Sequence, residues 1–137
     1  MKKLLAGFAA MAFSMVATVA LAQTMTPPAS EPIKRTPLQK TEYPDGHFTY
    51  IMMVEIVPNA TVARHTHPGL ETSYILEGNL ELTIEGKPPQ KLKAGDSFTV
   101  PANAVHSGKT GDTAVKLIGV FVVDKTKPIA SPAPVSQ

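Results

Sequence analysis

The sequence contains no cysteine and no tryptophan, and only 6% of its 137 residues are aromatic. Without cysteine the chain forms no disulfide and offers no thiolate to a metal ion, so any metal site must use histidine nitrogens and carboxylate oxygens. The same absence excludes a lipoprotein, because there is no cysteine to acylate. The 43% of hydrophobic residues suit one small domain with a single core.

The chain also lacks the basic excess that nucleic-acid binding requires. Its formal net charge of +2 comes from 13 basic and 11 acidic residues. Lys2 and Lys3 lie in the leader described next, and the other 11 basic residues balance the 11 acidic ones. No nucleic-acid partner is expected, since such binding needs a basic surplus concentrated on one face.

The first 22 residues are typical of an export signal. Lys2 and Lys3 precede a long apolar run, and Ala20-Leu21-Ala22 supplies a small-x-small cleavage site. We therefore expect a signal peptide over residues 1–22, cut after Ala22, and a periplasmic or secreted protein that leaves the membrane after cleavage. An uncleaved anchor is the alternative, because the apolar run is nearly long enough to span a bilayer. The many Ala residues and the cleavage site favour removal.

Proline and small polar residues dominate both ends of what remains. Residues 23–40 show neither a helical nor a strand period, which predicts an extended arm. Residues 125–137 have the same character and predict a flexible tail. Both segments are expected on the outside of the domain, although Ile33, Leu38 or Ile129 offers an apolar group with which to dock as an edge strand.

Between these segments, residues 41–124 alternate with a period of two. Leu80, Leu82 and Ile84 fall on one face of a strand with polar residues between them, and residues 114–123 form a nearly continuous β-branched run typical of a buried strand. No apolar stripe of helical period occurs in this region. Short strands separated by Gly and Pro turns predict an all-β fold, a single small sandwich or barrel.

Two histidines and a glutamate lie close together in this region. His65 and His67 project to the same face of an extended segment, and the Pro68-Gly69 turn allows Glu71 to return to the same space. Nitrogen and oxygen donors of this kind suit Fe, Mn, Ni, Cu or Zn. A His-x-His pair alone is often a surface accident, so this stretch does not settle the matter by itself.

The stretch from residue 59 to residue 78 resembles the first motif of the cupin superfamily. That motif has a Gly, five residues, His-x-His, three or four residues, Glu, six residues and a Gly. The chain follows this spacing with Asn59, His65, His67, Glu71 and Gly78. The opening Gly is replaced by Asn, the residue other than Gly that best tolerates a positive φ.

The second cupin motif is matched from residue 95 to residue 110. It reads Gly, five residues, Pro-x-Gly, two residues, His, three residues and Asn, and the chain supplies Gly95, Pro101, Asn103, His106 and Thr110. Asn103 again replaces a Gly, and Thr110 replaces the final Asn. The resemblance implies a small β-barrel of the jelly-roll type, with one divalent metal ion held by four ligands: His65, His67, Glu71 and His106.

Other residues near the motifs have simpler interpretations. Arg64 is able to hold an anion, but strand alternation points it away from His65 and His67. His47 follows a Pro-Asp-Gly turn and is interpreted as a turn histidine. The candidates for lining a barrel cavity are the following large residues, most of which we expect to be core: Tyr50, Met52, Met53, Tyr74, Phe98 and Phe121.

Two functions compete at such a site. One is a metal-dependent enzyme acting on a small organic molecule, with dioxygenase-like chemistry favoured, Glu71 as a proton acceptor, and isomerase, lyase or decarboxylase chemistry equally allowed. The other is a non-catalytic module that binds a metal or a small ligand, and a purely structural metal is a third, weaker alternative. The arm at residues 23–40 and the strand edges also make a homodimer an open expectation.

Overall fold

The computed structural model describes residues 32–134, which form ten β-strands and no helix. The predicted signal peptide, residues 23–31 of the arm and residues 135–137 of the tail lie outside the described residues. The strands are β1 (Ile33–Glu42), β2 (His47–Ile56), β3 (Thr61–Thr66), β4 (Gly69–Glu77), β5 (Asn79–Ile84), β6 (Gln90–Lys93), β7 (Ser97–Val100), β8 (His106–Thr110), β9 (Val115–Asp124) and β10 (Ser131–Pro132). A search of this range for a helix long and apolar enough to cross a bilayer finds none.

The strands form two five-stranded antiparallel sheets. The first sheet has the order β1-β2-β9-β4-β7 and the second has the order β10-β3-β8-β5-β6. Within residues 32–134 no strand of one sheet pairs with a strand of the other, so the jelly roll is two facing sheets and not a closed barrel. The predicted all-β fold is confirmed.

The core lies between the two sheets because each strand alternates its side chains. In β9 the residues at odd positions, Val115, Leu117, Gly119, Phe121 and Val123, are buried, while the even-numbered residues alternating with them are half-buried on the outer face. In β5 the predicted inner face is confirmed, since Leu80, Leu82 and Ile84 are all buried. The period of two in the sequence therefore encodes which residues face the opposite sheet.

The first sheet begins within the segment predicted to be an arm. Ile33 pairs with Ile56 and Glu42 pairs with Phe48, so β1 follows the whole length of β2 as an edge strand. Pro37 is accommodated because one side of an edge strand needs no backbone donor, and the register shifts just after it. The sheet thus starts at Ile33 and not at Thr41.

The described part of the predicted tail, residues 125–134, does not lie free of the domain. Ser131 and Pro132 pair with Thr66 and His65, and the backbone N–H of Ala133 donates to the carbonyl of Arg64 at 3.0 Å. The Ile129 side chain packs against the core. The tail is held because β3 leaves one edge open for backbone pairing, and this correction bears directly on the site below.

At three positions the chain differs from the cupin motifs, and the residue present there preserves the local backbone structure. Asn59 has a φ of 55° and Asn103 a φ of 60°, which confirms that Asn takes the left-handed conformation at both turns. Thr110 is buried, and its hydroxyl donates to the carbonyl of Val57 at 2.8 Å and accepts the N–H of Ala60 at 2.9 Å. Thr110 therefore fixes the loop that leads into β3.

Candidate metal centre

Three histidines converge on one point of the second sheet. His65 lies near the end of β3, His67 follows that strand, and His106 begins β8. Strands β3 and β8 are neighbours, and their register places His65 directly opposite His106. As a result, one ring nitrogen from each of the three lies within 4.8 Å of the others. This triad is a group that could bind a metal ion.

Each of these histidines has its Nδ1 atom engaged by a backbone carbonyl. His65 is held by Ala63 at 2.8 Å, His106 by Ala104 at 3.0 Å, and His67 by Ile129 at 2.6 Å. A carbonyl oxygen only accepts, so Nδ1 must carry the hydrogen in each ring. The Nε2 atoms are therefore the ones available to a metal ion, as in most protein metal sites.

Glu71 reaches the histidines from the opposite sheet. It lies in β4, and its Oε2 atom is 3.2 Å from Nε2 of His67 and 3.4 Å from Nε2 of His106. Its other oxygen accepts the Ser73 hydroxyl at 2.8 Å. Glu71, His67 and His106 are only 7%, 6% and 5% exposed. The Glu71 oxygens and the two Nε2 atoms therefore have little access to solvent water.

The contacts of Glu71 provide a test of whether a metal ion fits. A carboxylate oxygen and an Nε2 lone pair repel each other at this range unless a cation, either a proton or a metal, lies between them. Ligands about 2.1 Å from one ion and at right angles around it lie about 3 Å apart, close to the observed separations. Three imidazoles and a carboxylate also form a donor set of intermediate hardness. The residues present therefore fit a divalent first-row metal.

The pKa values of the cluster favour the forms that bind a metal. Burial, and after it the neighbouring His106, lowers the pKa of His65 from 6.5 to about 4, so this ring is neutral at pH 7. Burial acts to raise the pKa of Glu71, but the hydrogen bonds with His106 and His67 outweigh it and lower that pKa to about 2. Glu71 is thus an anion at neutral pH.

A small cavity of about 70 Å³ opens beside the histidines, between the two sheets. Phe98 and Phe121 line it as predicted, and the Phe121 ring also packs edge-on against His67 with centroids 5.0 Å apart. Met52 is part of the core. The expectation for Tyr74 is wrong, because its side chain is on the outer face of β4 and 49% exposed. The cavity is therefore mainly apolar, with the histidine cluster at one part of its wall.

The two other singled-out residues lie outside the cluster. Arg64 points away from the site, as predicted, and donates to Glu85 at 3.0 Å and to the carbonyl of Pro134 at 3.2 Å. His47 follows the Pro-Asp-Gly turn, where its Nδ1 lies 3.0 Å from the carbonyl of Asp45.

Three contributors to the site were missed by the sequence analysis. Ser73 lies two residues after Glu71 and thus on the same face of β4, a signal that period-two reasoning offers. Ile129 acts through its backbone carbonyl, which leaves no trace in side-chain chemistry. Arg35 lines the cavity from β1, inside the segment interpreted as an arm.

Comparison with known proteins identifies a family and several relatives. Residues 52–122, just over half of the chain, match the cupin domain family. Two curated relatives align with part of the chain. The dimethylsulfoniopropionate lyase DddQ of Ruegeria pomeroyi is 40% identical over 48 residues, which is 35% of this chain and 24% of that protein. The quercetin 2,3-dioxygenase of Bacillus subtilis is 33% identical over 78 residues, 57% of this chain and 23% of that protein.

Solved structures share the fold at low sequence identity. The crystal structure of the Ruegeria pomeroyi DddQ superposes with a TM-score of 0.65 at 23% identity, covering 74% of this chain and 52% of that one. An uncharacterized Klebsiella pneumoniae protein with a double-stranded β-helix domain superposes with a TM-score of 0.64 at 19% identity, covering 80% of this chain and 90% of that one. The chain spans about a quarter of the length of the curated relatives it matches.

Proposed function

This chain belongs to the cupin family, and on that premise we propose that it holds one divalent metal ion through His65, His67, His106 and Glu71 and acts on a small organic molecule in the adjoining cavity. The observation that carries the proposal is the set of contacts that Glu71 makes with His67 and His106 across the two sheets. These contacts need a cation, and the fixed Nδ1 hydrogen bonds aim the Nε2 atoms at it.

A bound ion of this kind supplies Lewis-acid polarisation of a substrate oxygen and, if redox-active, a centre for reaction with dioxygen. The chain's own residues hold and shield that centre. Phe98 and Phe121 keep the surrounding wall apolar, which excludes water and strengthens electrostatic contacts inside. Ser73 holds one oxygen of Glu71, so that the other oxygen stays directed at the histidines.

Glu71 is also the proton acceptor in this proposal. With a pKa of about 2 it is a weak base while His67 and His106 hold it. It therefore accepts a proton only when those contacts loosen, which couples its proton transfer to rearrangement of the cluster. No other carboxylate from residues 32–134 lines the cavity.

Dioxygenase-like chemistry is the reaction type that we propose first. Of the two curated relatives, the one named as a dioxygenase aligns with 57% of this chain and the one named as a lyase with 35%. Both names support chemistry on a small organic molecule. The small cavity favours a substrate more compact than a three-ring flavonol.

The test begins with the metal. Protein purified from its native compartment is analysed for bound metals, and His106→Ala serves as the variant with a broken site. We expect about one ion per chain in the wild type and loss of that ion in the variant. Metal-loaded protein is then supplied with catechols, flavonols, keto acids and small carboxylic acids while oxygen consumption and product formation are followed. Full metal stoichiometry in the variant would contradict the assignment of ligands.

A non-catalytic binding module is the second candidate, and one observation favours it. Among the described residues, Arg35 is the only titratable one that lines the cavity apart from the four proposed ligands. The site thus lacks a separate acid or base for turnover. Tight binding of one ligand class without product formation would support this alternative over the enzyme.

Export and dimerisation complete the proposal. We propose that the protein acts in the periplasm or outside the cell after removal of residues 1–22, so that the metal is acquired there. The homodimer stays a prediction, to be measured as the mass in solution. The outer face of β4 exposes Leu70, Tyr74 and Leu76, and an apolar face of this kind is where a second copy would be sought.

A further inference from the structure

Among residues 32–134, Arg35 is the one lysine or arginine that lines the cavity, and no ion pair is described for its side chain. We propose that Arg35 binds the carboxylate of the molecule that occupies this cavity, so that the natural ligand is a short, otherwise largely apolar carboxylic acid. This inference rests on the proposed function, because it names the class of ligand for the same cavity.

The strand register places Arg35 on the inner side of the first sheet. Arg35 pairs with Val54 and Ile33 pairs with Ile56, and both partners are buried on the inner face of β2. Directly opposite residues of an antiparallel pair point to the same side of the sheet. Arg35 therefore extends from the sheet edge towards the cavity that it lines together with the histidines.

The neighbouring residue shows the opposite arrangement. Lys34 pairs with Glu55 in the register, and its Nζ lies 3.4 Å from the Glu55 carboxylate on the outer face. Lys34 and Arg35 thus share a strand and a charge but face opposite sides of the sheet. This difference makes Lys34 a matched control.

Within residues 32–134, no carboxylate that lines this cavity is free to pair with Arg35. In this described part of the chain, Glu71 is the only acidic residue that lines the cavity, and its oxygens contact His67, His106 and Ser73. The described ion pairs include Arg64 with Glu85 but none with Arg35. Arg35 itself is exposed, so it remains hydrated until a ligand covers it.

The rest of the cavity defines the remainder of the ligand. Its wall is mostly apolar, with Val62, Leu80 and Leu82 from one sheet and Val54 and Leu117 from the other. The volume of about 70 Å³ admits only a compact molecule. The planar guanidinium matches a carboxylate by two parallel hydrogen bonds, which fixes how such a molecule is oriented.

The experiment compares propionate with propionamide, which has nearly the same shape but no charge. Binding of each probe is measured by NMR titration on the wild type, Arg35→Ala, Arg35→Lys and Lys34→Ala, with and without metal. We expect Arg35→Ala to weaken propionate binding roughly 10- to 100-fold and to leave propionamide binding unchanged. Arg35→Lys should retain part of the affinity, and Lys34→Ala should retain all of it.

The metal-free arm separates Arg35 from direct carboxylate binding to a metal ion. The inference is overturned if the wild type and Arg35→Ala bind propionate with equal affinity. It is also overturned if the wild type binds propionate no better than propionamide, or binds neither probe at millimolar concentrations. Failure of the proposed metal site would instead appear as absent metal in the wild type. In that case the difference in propionate affinity between the wild type and Arg35→Ala would still be measurable.

Discussion

The backbone carbonyl of Ile129 accepts a hydrogen bond from Nδ1 of His67 at 2.6 Å, across 62 positions of the sequence. The corresponding contacts of His65 and His106 are made by residues only two positions away. His67 therefore depends on the C-terminal segment for its ring orientation, while the other two rings are oriented by their own strands. The segment lies beyond the part of the chain that matches the cupin family.

Truncation after Pro128 should weaken metal binding by roughly 10- to 100-fold, because His67 loses the partner that fixes its ring and β3 loses β10. The affinity for Co²⁺ or Zn²⁺ is measured by competition with a chelator. Removal of residues 135–137 alone is the control and should change nothing. Ile129→Ala keeps the carbonyl and should retain most of the affinity. Unchanged affinity after the long truncation would show that the segment does not position His67.

Glu71→Gln should weaken metal binding by at least about 100-fold, because an anionic ligand is replaced by a neutral amide of the same shape. The matched control is Glu81→Gln, which removes an exposed carboxylate from β5. The same chelator competition measures both variants. If Glu71→Gln bound the metal with wild-type affinity, Glu71 would not be a ligand and the site would consist of the three histidines.

The metal-free protein should lose stability as the pH falls from about 6.5 to about 4. Burial and His106 lower the pKa of His65 from 6.5 to about 4, so the unfolded chain binds more protons than the folded one in this window. Glu71, whose pKa is lowered from 4.5 to about 2, adds a second loss as the pH falls below 4.5. Both pKa shifts therefore lower the stability of the folded protein as the pH falls.

Urea unfolding at a series of pH values measures this dependence. His65→Gln should flatten the slope between pH 6.5 and pH 4, because Gln does not titrate. His47→Gln, in the turn outside the cluster, controls for the loss of a histidine. A wild type equally stable at pH 7 and pH 4 would refute the prediction.

Gly119→Ala should destabilise the protein by about 1–3 kcal/mol and weaken metal binding. A Cβ at this position lies 2.6 Å from the Phe121 ring and 3.2 Å from the Ser73 hydroxyl. Both neighbours touch the site, since Phe121 packs on His67 and Ser73 holds Glu71. Gly111→Ala is the control, because a Cβ there meets nothing within 4 Å. Equal unfolding midpoints for the two variants would contradict the steric argument.

If the protein is exported as proposed, its mature chain should begin at Gln23. Expression of the full sequence in a Gram-negative host, followed by mass spectrometry of the periplasmic fraction, measures the cleavage position. Replacing Ala20 and Ala22 with Leu should block cleavage, because the signal peptidase requires small residues there. A cytoplasmic product that retains residues 1–22 would refute export.

The all-β fold was predictable because it follows from short-range pattern, whereas the four proposed ligands were assigned together by resemblance to the cupin motifs, since spacing alone does not bring His106 to the other three. Alternation over two residues sets the inner faces of β5 and β9, and the spacing of His65, His67 and Glu71 follows from one strand and one turn. Asn59 and Asn103 were interpretable because few residues adopt a positive φ. These features depend on each residue's immediate neighbours.

The two terminal segments were less predictable for a physical reason. Strand β1 and the segment around β10 attach to the edges of β2 and β3 through backbone hydrogen bonds, which any non-proline residue is able to make. Their side chains are mostly exposed, so no alternation marks them. Arg35 and the Ile129 carbonyl were missed with them, because the position of each group relative to the site depends on how its segment pairs with the neighbouring strand.

The placement of Glu71 and the histidines on separate sheets has a mechanical consequence. Within residues 32–134 no strand pairing joins these sheets, and the chain has no cysteine with which to fasten them. An ion bound between His106 and Glu71 would be a cross-link of the kind that disulfides provide in exported proteins. The free energy of unfolding would then rise with the concentration of free metal, because the ion would bind the folded pair of sheets and not the unfolded chain.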